Sequence, residues 1–170
     1  MQEKVWRTCR LMINGLAHKV QYNQATIDNL FLPFLRRMSK MQQKLGRRLI
    51  VFLAAPPGVG KSTLALLFER LSNTDEEIVP VQALGLDGFH YPNQYLATHS
   101  IEREGRRILL STIKGAPEPL AVEKLIGKLT DVRKNNVRWP IYDRNIHDVL
   151  DEIVTVKREI VILEGNWLLL

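Results

Sequence analysis

One stretch limits what this chain can fold into more than any other. Leu49 to Ala54 is an unbroken apolar run of strand length, and it leads directly into Ala55-Pro-Pro-Gly-Val-Gly-Lys-Ser62. Apolar residues without polar alternation are the pattern of a strand covered on both faces, as in a parallel sheet. Lys61 to Leu71 then carries apolar residues at helical spacing, with Leu64, Leu67 and Phe68 expected inward. Between strand and helix, Pro56 to Gly60 reads as a loop. Gly58 and Gly60 permit torsions that other residues resist, so successive backbone N–H groups can converge at the positive end of the helix. That is an anion site. The spacing matches the phosphate-loop pattern of Gly, four residues, then Gly-Lys-Ser/Thr; Ala55 replaces the first glycine and Gly60-Lys61-Ser62 is intact. Pro57, Gly58, Val59, Gly60, Lys61, Ser62 and Thr63 are therefore expected to bind ATP. Lys61 would reach the β- and γ-phosphates and the Ser62 hydroxyl would hold Mg²⁺. GTPases, motor ATPases and kinases share such loops, so the loop alone does not choose the reaction.

The rest of the chain supplies alternating strands and helices. Ile78 to Leu86 and Glu159 to Leu163 read as two further core strands, and Val122 to Val132 as a helix with Leu125, Ile126 and Leu129 on one face. Strands alternating with helices imply an α/β fold with a parallel sheet, here a P-loop three-layer sandwich over residues 48–170. Residues 1–47 read as an extension. Arg10 to Tyr22 forms a hairpin turning at Asn14-Gly15, and a helical stretch follows with Ile27, Leu30, Phe31, Phe34, Leu35, Met38 and Met41 recurring at helical spacing. Pro33 predicts a kink or a fresh helix start within it. Asp87 to His99 reads as loop, Arg103 to Lys114 as a basic, glycine-interrupted stretch, and Trp139 to Asp148 as a polar-aromatic loop; Val149 to Thr155 is indeterminate.

Composition removes several classes. The single cysteine, Cys9, excludes an internal disulfide framework. The apolar run from Leu49 to Ala55 is far shorter than the ~20 residues a spanning helix needs, and Met1 to Arg10 lacks the apolar core of a secretion signal. A cytoplasmic chain that does not engage a membrane is the expectation. The net charge of +6 raises nucleic acid as a partner. Its arginines, however, are scattered in pairs (Arg36-Arg37, Arg47-Arg48, Arg106-Arg107) with no aromatic-basic motif beside them, which argues against that partner and fits a site for phosphates.

Ligands of open parallel sheets bind beyond the carboxyl ends of the strands. Asp87 and Glu164 stand at two such ends. A carboxylate there can accept the proton of an acceptor hydroxyl, and another can complete a Mg²⁺ shell. Asp87 takes the first role in this reading and Glu164 the second; a turn or cap role remains the alternative, most of all for Asp87 before Gly88. His90 and His147 lie in polar loops where they can contact substrate or phosphate, or simply pin the loop. His18 and His99 have no such company. Arg144 offers charge to a phosphate or pairs with Asp143 at the surface.

Five motifs in order carry a resemblance: Ala55 to Ser62, Leu86-Asp-Gly-Phe-His90, Lys114-Gly-Ala-Pro-Glu118, Pro140-Ile-Tyr-Asp-Arg144 and Glu164-Gly-Asn166. Together they resemble the phosphoribulokinase, uridine kinase and pantothenate kinase superfamily, and most of all its bacterial nucleoside/nucleotide kinase-like or fructose-transport-system kinase branch. The resemblance runs from about Leu11 to Leu170. It implies ATP, Mg²⁺ and transfer of the γ-phosphoryl group to a hydroxyl of a small acceptor: a sugar, nucleoside or vitamin precursor. It implies Asp87 as the catalytic carboxylate alongside Lys61, Glu164 near the metal, and Lys114 with Tyr142 to Arg144 on the acceptor side. Two departures stand out. The family follows Pro-Glu with an aromatic residue and an Asp that can cap the next helix, where this chain has Pro119-Leu120-Ala121. The family also continues past Glu-Gly-Asn with further strands and an arginine-bearing lid, whereas this chain stops at an apolar Leu168-Leu-Leu170. An incomplete kinase core is the expectation, with an exposed sheet edge that promotes a homo-oligomer; the alternative is a nucleotide-binding protein without kinase activity because the lid region is missing.

Overall fold

The structure is a computed structural model that describes residues 6–13 and 15–169. β1 (Trp6–Ile13) and β2 (Leu16–Asn23) form an antiparallel hairpin with Ile13 opposite Leu16. The expected hairpin is present and longer than Arg10 to Tyr22; Asn14 of the expected turn lies outside the described residues. The Asn23 side chain then accepts a hydrogen bond from the Ala25 N–H and starts α1 (Gln24–Thr26). A π-helical turn (Ile27–Phe31) passes into α2 (Leu32–Leu45). Pro33 stands where the π-helical turn passes into α2, and Gly46 ends the helix in the left-handed region at φ 64°.

β3 (Leu49–Ala54), α3 (Lys61–Ser72) and β4 (Val81–Gly85) follow, then a 3₁₀ turn (Asp87–Phe89) and α4 (Asn93–Thr98). β5 (Ser100–Arg103) and β6 (Arg106–Leu109) make a small hairpin, and a second 3₁₀ turn (Leu110–Ile113) leads to α5 (Val122–Val132). β7 (Arg138–Asp143) pairs with β8 (Asp148–Thr155) as an antiparallel ribbon, and β9 (Ile160–Gly165) completes the core.

The main sheet is parallel, in the order β3-β9-β4. Alternation along β9 divides the core into two sides. Ile160 and Ile162 pack with Leu35, Met38, Ala65, Phe68, Ile78 and Val81 beneath α2 and α3. Val161 and Leu163 pack with Leu84, Phe89, Val132, Trp139 and Val156 beneath α5 and the β7–β8 ribbon. The result is the layered α/β, P-loop architecture expected, with helices on one face of the sheet and a helix plus ribbon on the other. The boundary expected after residue 47 falls between α2 and β3, and Leu35 and Met38 pack across it.

Several local expectations are corrected. β9, not β3, is the strand buried throughout; β3 lies at the sheet edge and Phe52 is 48% exposed. Trp139 to Asp148 is not a loop. Its first half is β7, which Pro140 disguises by breaking the alternation, and a register shift between Trp139 and Ile141 absorbs that residue. The indeterminate stretch after Asp148 is β8. Asp87 to His99 contains two short helical elements, and the basic stretch folds as β5–β6, turning at Glu104 and Gly105 with φ 53° and 70°. On α5, Leu125 and Leu129 face the core but Ile126 is exposed. Ala121 stands at the N-cap of α5 and gives the helix no side-chain cap, as expected from the absence of an Asp there.

Arg48 is buried immediately before β3. Its guanidinium donates to the carbonyls of Val132, Asn135 and Arg158 and to Asn136 Oδ1, at 2.5–2.8 Å. It therefore ties the end of α5 and the β8–β9 connection to the start of the sheet. Among the described residues, no helix is long and apolar enough to cross a membrane.

Candidate active site

The site is assembled at the carboxyl ends of β3, β9 and β4. Leaving β3, the chain turns at Gly58 (φ 78°) and Gly60 (φ 92°) and enters α3. A Cβ added at either glycine would meet nothing within 4 Å, so the left-handed torsion, not space, asks for glycine there. The loop from Pro56 to Gly60 is exposed, at the N-terminus of a 12-residue helix whose dipole favours an anion. Val59 is exposed at its tip.

Lys61 folds back under this loop. Its ammonium donates to the Pro56 carbonyl at 2.9 Å and to Asn166 Oδ1 at 2.6 Å. Ser62 Oγ donates to Glu164 Oε1 at 2.8 Å, which places a hydroxyl and a carboxylate side by side as oxygen donors. Glu164 is 8% exposed. Burial pushes its carboxyl above the ordinary carboxylate range; the Ser62 hydrogen bond opposes this, the Asp87 charge adds to it, and Lys61 and Arg144 oppose it.

Two cavities flank these groups. One, about 300 Å³, is lined by Pro57, Gly58, Gly60, Lys61, Ser62 and Thr63 together with Asp87, Arg144, Glu164 and Asn166. The other, about 260 Å³, is lined by His90, Asn93, Lys114, Tyr142 and Trp167, among others. Asp87 and Asn166 line both. A larger space of about 630 Å³ lies between the β1–β2 hairpin and the far end of α3, and none of the residues above lines it. Size alone therefore does not locate the chemistry.

Asp87 is held in place by backbone packing. A Cβ at Gly88 would lie 2.4 Å from the Pro140 carbonyl oxygen, so only glycine lets the 3₁₀ turn press against β7. The His90 ring contacts the Asp87 carbonyl oxygen through Nδ1 at 2.9 Å and lies edge-on to Tyr142. Burial raises the Tyr142 pKa, with the charges of Asp148 and Asp87 adding and Arg144 opposing. Lys114 donates from Nζ to Asn93 Oδ1.

The expected acceptor residues thus separate. His90, Lys114 and Tyr142 line the second cavity. Arg144 lines the first, beside the phosphate loop, and among the described residues no ion pair joins it to Asp143. Asp143 Oδ1 instead accepts from the Asn145 backbone and side chain. His147 lines neither cavity. It sits in the β7–β8 turn with φ 52°, its carbonyl accepting from Asn93 Nδ2 at 2.8 Å.

Sequence reasoning missed Asn93, Asn166 and Trp167 on these walls, and it missed Ile13 and His18, which line the first cavity from the β1–β2 hairpin. Asn166 was visible as the last letter of Glu-Gly-Asn. Nothing local signals His18, because the hairpin reaches the site only through tertiary folding.

No protein-family profile matches the chain. The uncharacterised protein YggC of Escherichia coli (strain K12) is 41% identical over 161 residues, 94% of this chain and 64% of that protein. A pantothenate kinase of Enterococcus faecalis is 34% identical over 120 residues, 68% of this chain and 36% of that enzyme. The chain therefore spans less than two thirds of the length of these curated relatives. Among solved structures, a candidate fructose transport system kinase from Silicibacter sp. TM1040 superposes with a TM-score of 0.60 at 26% identity, covering 77% of this chain and 64% of that one. A candidate uridine kinase from Bacillus stearothermophilus gives 0.54 at 15% identity over 81% of this chain and 73% of that one, a likeness of fold alone.

Proposed function

Since the chain belongs to the P-loop kinases of the phosphoribulokinase, uridine kinase and pantothenate kinase superfamily, we propose that it transfers the γ-phosphoryl group of ATP to a hydroxyl of a small molecule. The observation that carries this reading is the position of Asp87, which lines the phosphate-loop cavity and the second cavity at once. A carboxylate at that junction can face an acceptor hydroxyl on one side and a phosphoryl group on the other.

The residues fit Mg-ATP: an exposed glycine loop at a helix start, a buried ammonium beneath it, and a hydroxyl beside a carboxylate. Bound Mg-ATP supplies the phosphoryl group and the metal charge that offsets it. Lys61 offers its ammonium to the β- and γ-phosphates, and Ser62 with Glu164 holds the metal ion. Arg144 adds a second cation on the same cavity wall. Asp87 orients the acceptor hydroxyl and takes its proton as the new P–O bond forms and the bond to the β-phosphate breaks, leaving ADP. His90, Lys114 and Tyr142 orient the acceptor. The relatives named pantothenate kinase favour a vitamin precursor as the first acceptor to try, with nucleosides and sugars as the alternatives. The roles assigned to these oxygen and nitrogen donors also favour a cytoplasmic setting, where Mg-ATP is available.

The test joins calorimetry with ADP release over a panel of pantothenate, nucleosides and sugars. The wild-type chain should bind Mg-ATP and release ADP faster with one acceptor. Lys61→Ala should weaken binding or transfer strongly, and Asp87→Asn should keep binding while slowing transfer about 10²-fold or more. Mg-ATP binding with no acceptor-dependent turnover anywhere in the panel would count against kinase activity, and unchanged affinity in Lys61→Ala would count against the loop.

A further inference from the structure

β9 ends at Gly165, where an added Cβ would lie 2.5 Å from Leu86 Cβ. The end of the central strand is thereby pressed against the residue before Asp87, and Asn166 emerges beside the junction of the two cavities. Among the described residues, Asn166 and Asp87 alone line both. Asn166 also holds Lys61: its carboxamide oxygen accepts from the Lys61 ammonium at 2.6 Å. The next residue, Trp167, belongs to the second cavity and donates from Nε1 to the Gly115 carbonyl at 3.1 Å, directly beside Lys114. A single short segment therefore touches the metal-side carboxylate, the phosphate-loop lysine and the acceptor wall in succession.

On the kinase reading above, we infer that Asn166 is a positioning residue that couples the two cavities. An ammonium has three protons, and two are committed to Pro56 and Asn166, leaving one direction for phosphate. The Asn166 oxygen sets that direction. Its amide NH₂ has no other hydrogen-bond partner among the described residues, and so can donate to an oxygen of the acceptor. When Lys61 engages phosphate, Asn166 is held in one orientation, and the acceptor wall formed by Asn166 and Trp167 is ordered with it. Nucleotide binding and acceptor binding thus share one side chain, and each should favour the other.

The nucleotide alone reads this coupling. Among the described side chains, Trp167 lines the acceptor cavity, while Trp139 is buried beneath the sheet. Saturating Mg-ATP should change Trp167 fluorescence in the wild-type chain, and Trp167→Phe should abolish the change. Asn166→Ala should reduce the change at least about fivefold at Mg-ATP concentrations shown by calorimetry to saturate that variant. Asn166→Asp places a carboxylate against the Lys61 ammonium and should weaken Mg-ATP binding about tenfold, since an opposite charge so close competes for it. Full Trp167 response in Asn166→Ala, or no response in a wild-type chain that binds Mg-ATP, overturns the coupling. A wild-type chain that binds no Mg-ATP overturns the kinase reading instead.

Discussion

Glu164 is the buried carboxylate among the described residues, and its titration has a definite sign. Burial holds its proton more tightly in the folded protein than in the unfolded chain. Stability then falls as pH rises from the ordinary carboxylate range through the raised folded value, and the deficit stays constant above it. Glu164→Gln keeps an oxygen for Ser62 but carries no charge. Without metal, that variant should melt above the wild type at neutral pH, with the margin closing as pH falls toward about 4. Differential scanning at several pH values checks this; a variant melting lower, by a margin independent of pH, would rule out burial of the charge as the cost. At this scale the sequence was most informative where a side chain's role follows from its neighbours in the chain, as for Lys61 and Ser62. It was silent where the partner is remote. Asn166 meets Lys61 only in three dimensions, and Arg48 looks like half of a surface pair until its carbonyl partners come together around it.

The β1–β2 hairpin and the β7–β8 ribbon meet at their tips. Gly15 sits at φ 83°, and an added Cβ would lie 2.5 Å from Asn145 Nδ2 and 3.3 Å from Asp143 Oδ1. Those atoms belong to the turn that carries Arg144 toward the phosphate loop, so the β1–β2 hairpin braces the β7–β8 turn. Gly15→Ala imposes both a left-handed torsion and a collision. It should cost about 1 kcal/mol of stability and weaken Mg-ATP binding a few-fold by displacing Arg144. Equal affinity despite a lower melting temperature would show that the tip supports the fold and not the site. The β1–β2 hairpin was legible because its strands alternate around a turn signal. The β7–β8 ribbon was not, since Pro140 and the register shift between Trp139 and Ile141 hide its alternation.

Across the whole molecule, Arg48 is the fastening that local patterns could not reveal. Arg48→Met would leave the carbonyls of Val132, Asn135 and Arg158 without this donor, the first in a buried bond and the other two in partly buried ones. The expected loss is about 2–4 kcal/mol, read as a lower urea midpoint at unchanged slope. A change within about 0.5 kcal/mol would mean that solvent replaces the guanidinium.

The sheet order has a consequence for how the protein comes into being. Leu49 and Val81 both pair with Ile160, so two strands made early in synthesis have no ladder between them until the strand encoded much later slides into place. Closing such long loops is slow, because the entropy of closure is spent before the contacts repay it. While the chain is still being made, β3 and β4 present apolar faces and open edges, a state prone to off-pathway association. A ribosome-bound chain halted before Ile160 should be cleaved readily by protease across β3 and β4, and one long enough to release Gly165 should resist. The strand that delivers Glu164 and Asn166 to the site would then also be the one that ends the nascent chain's exposure to chaperones.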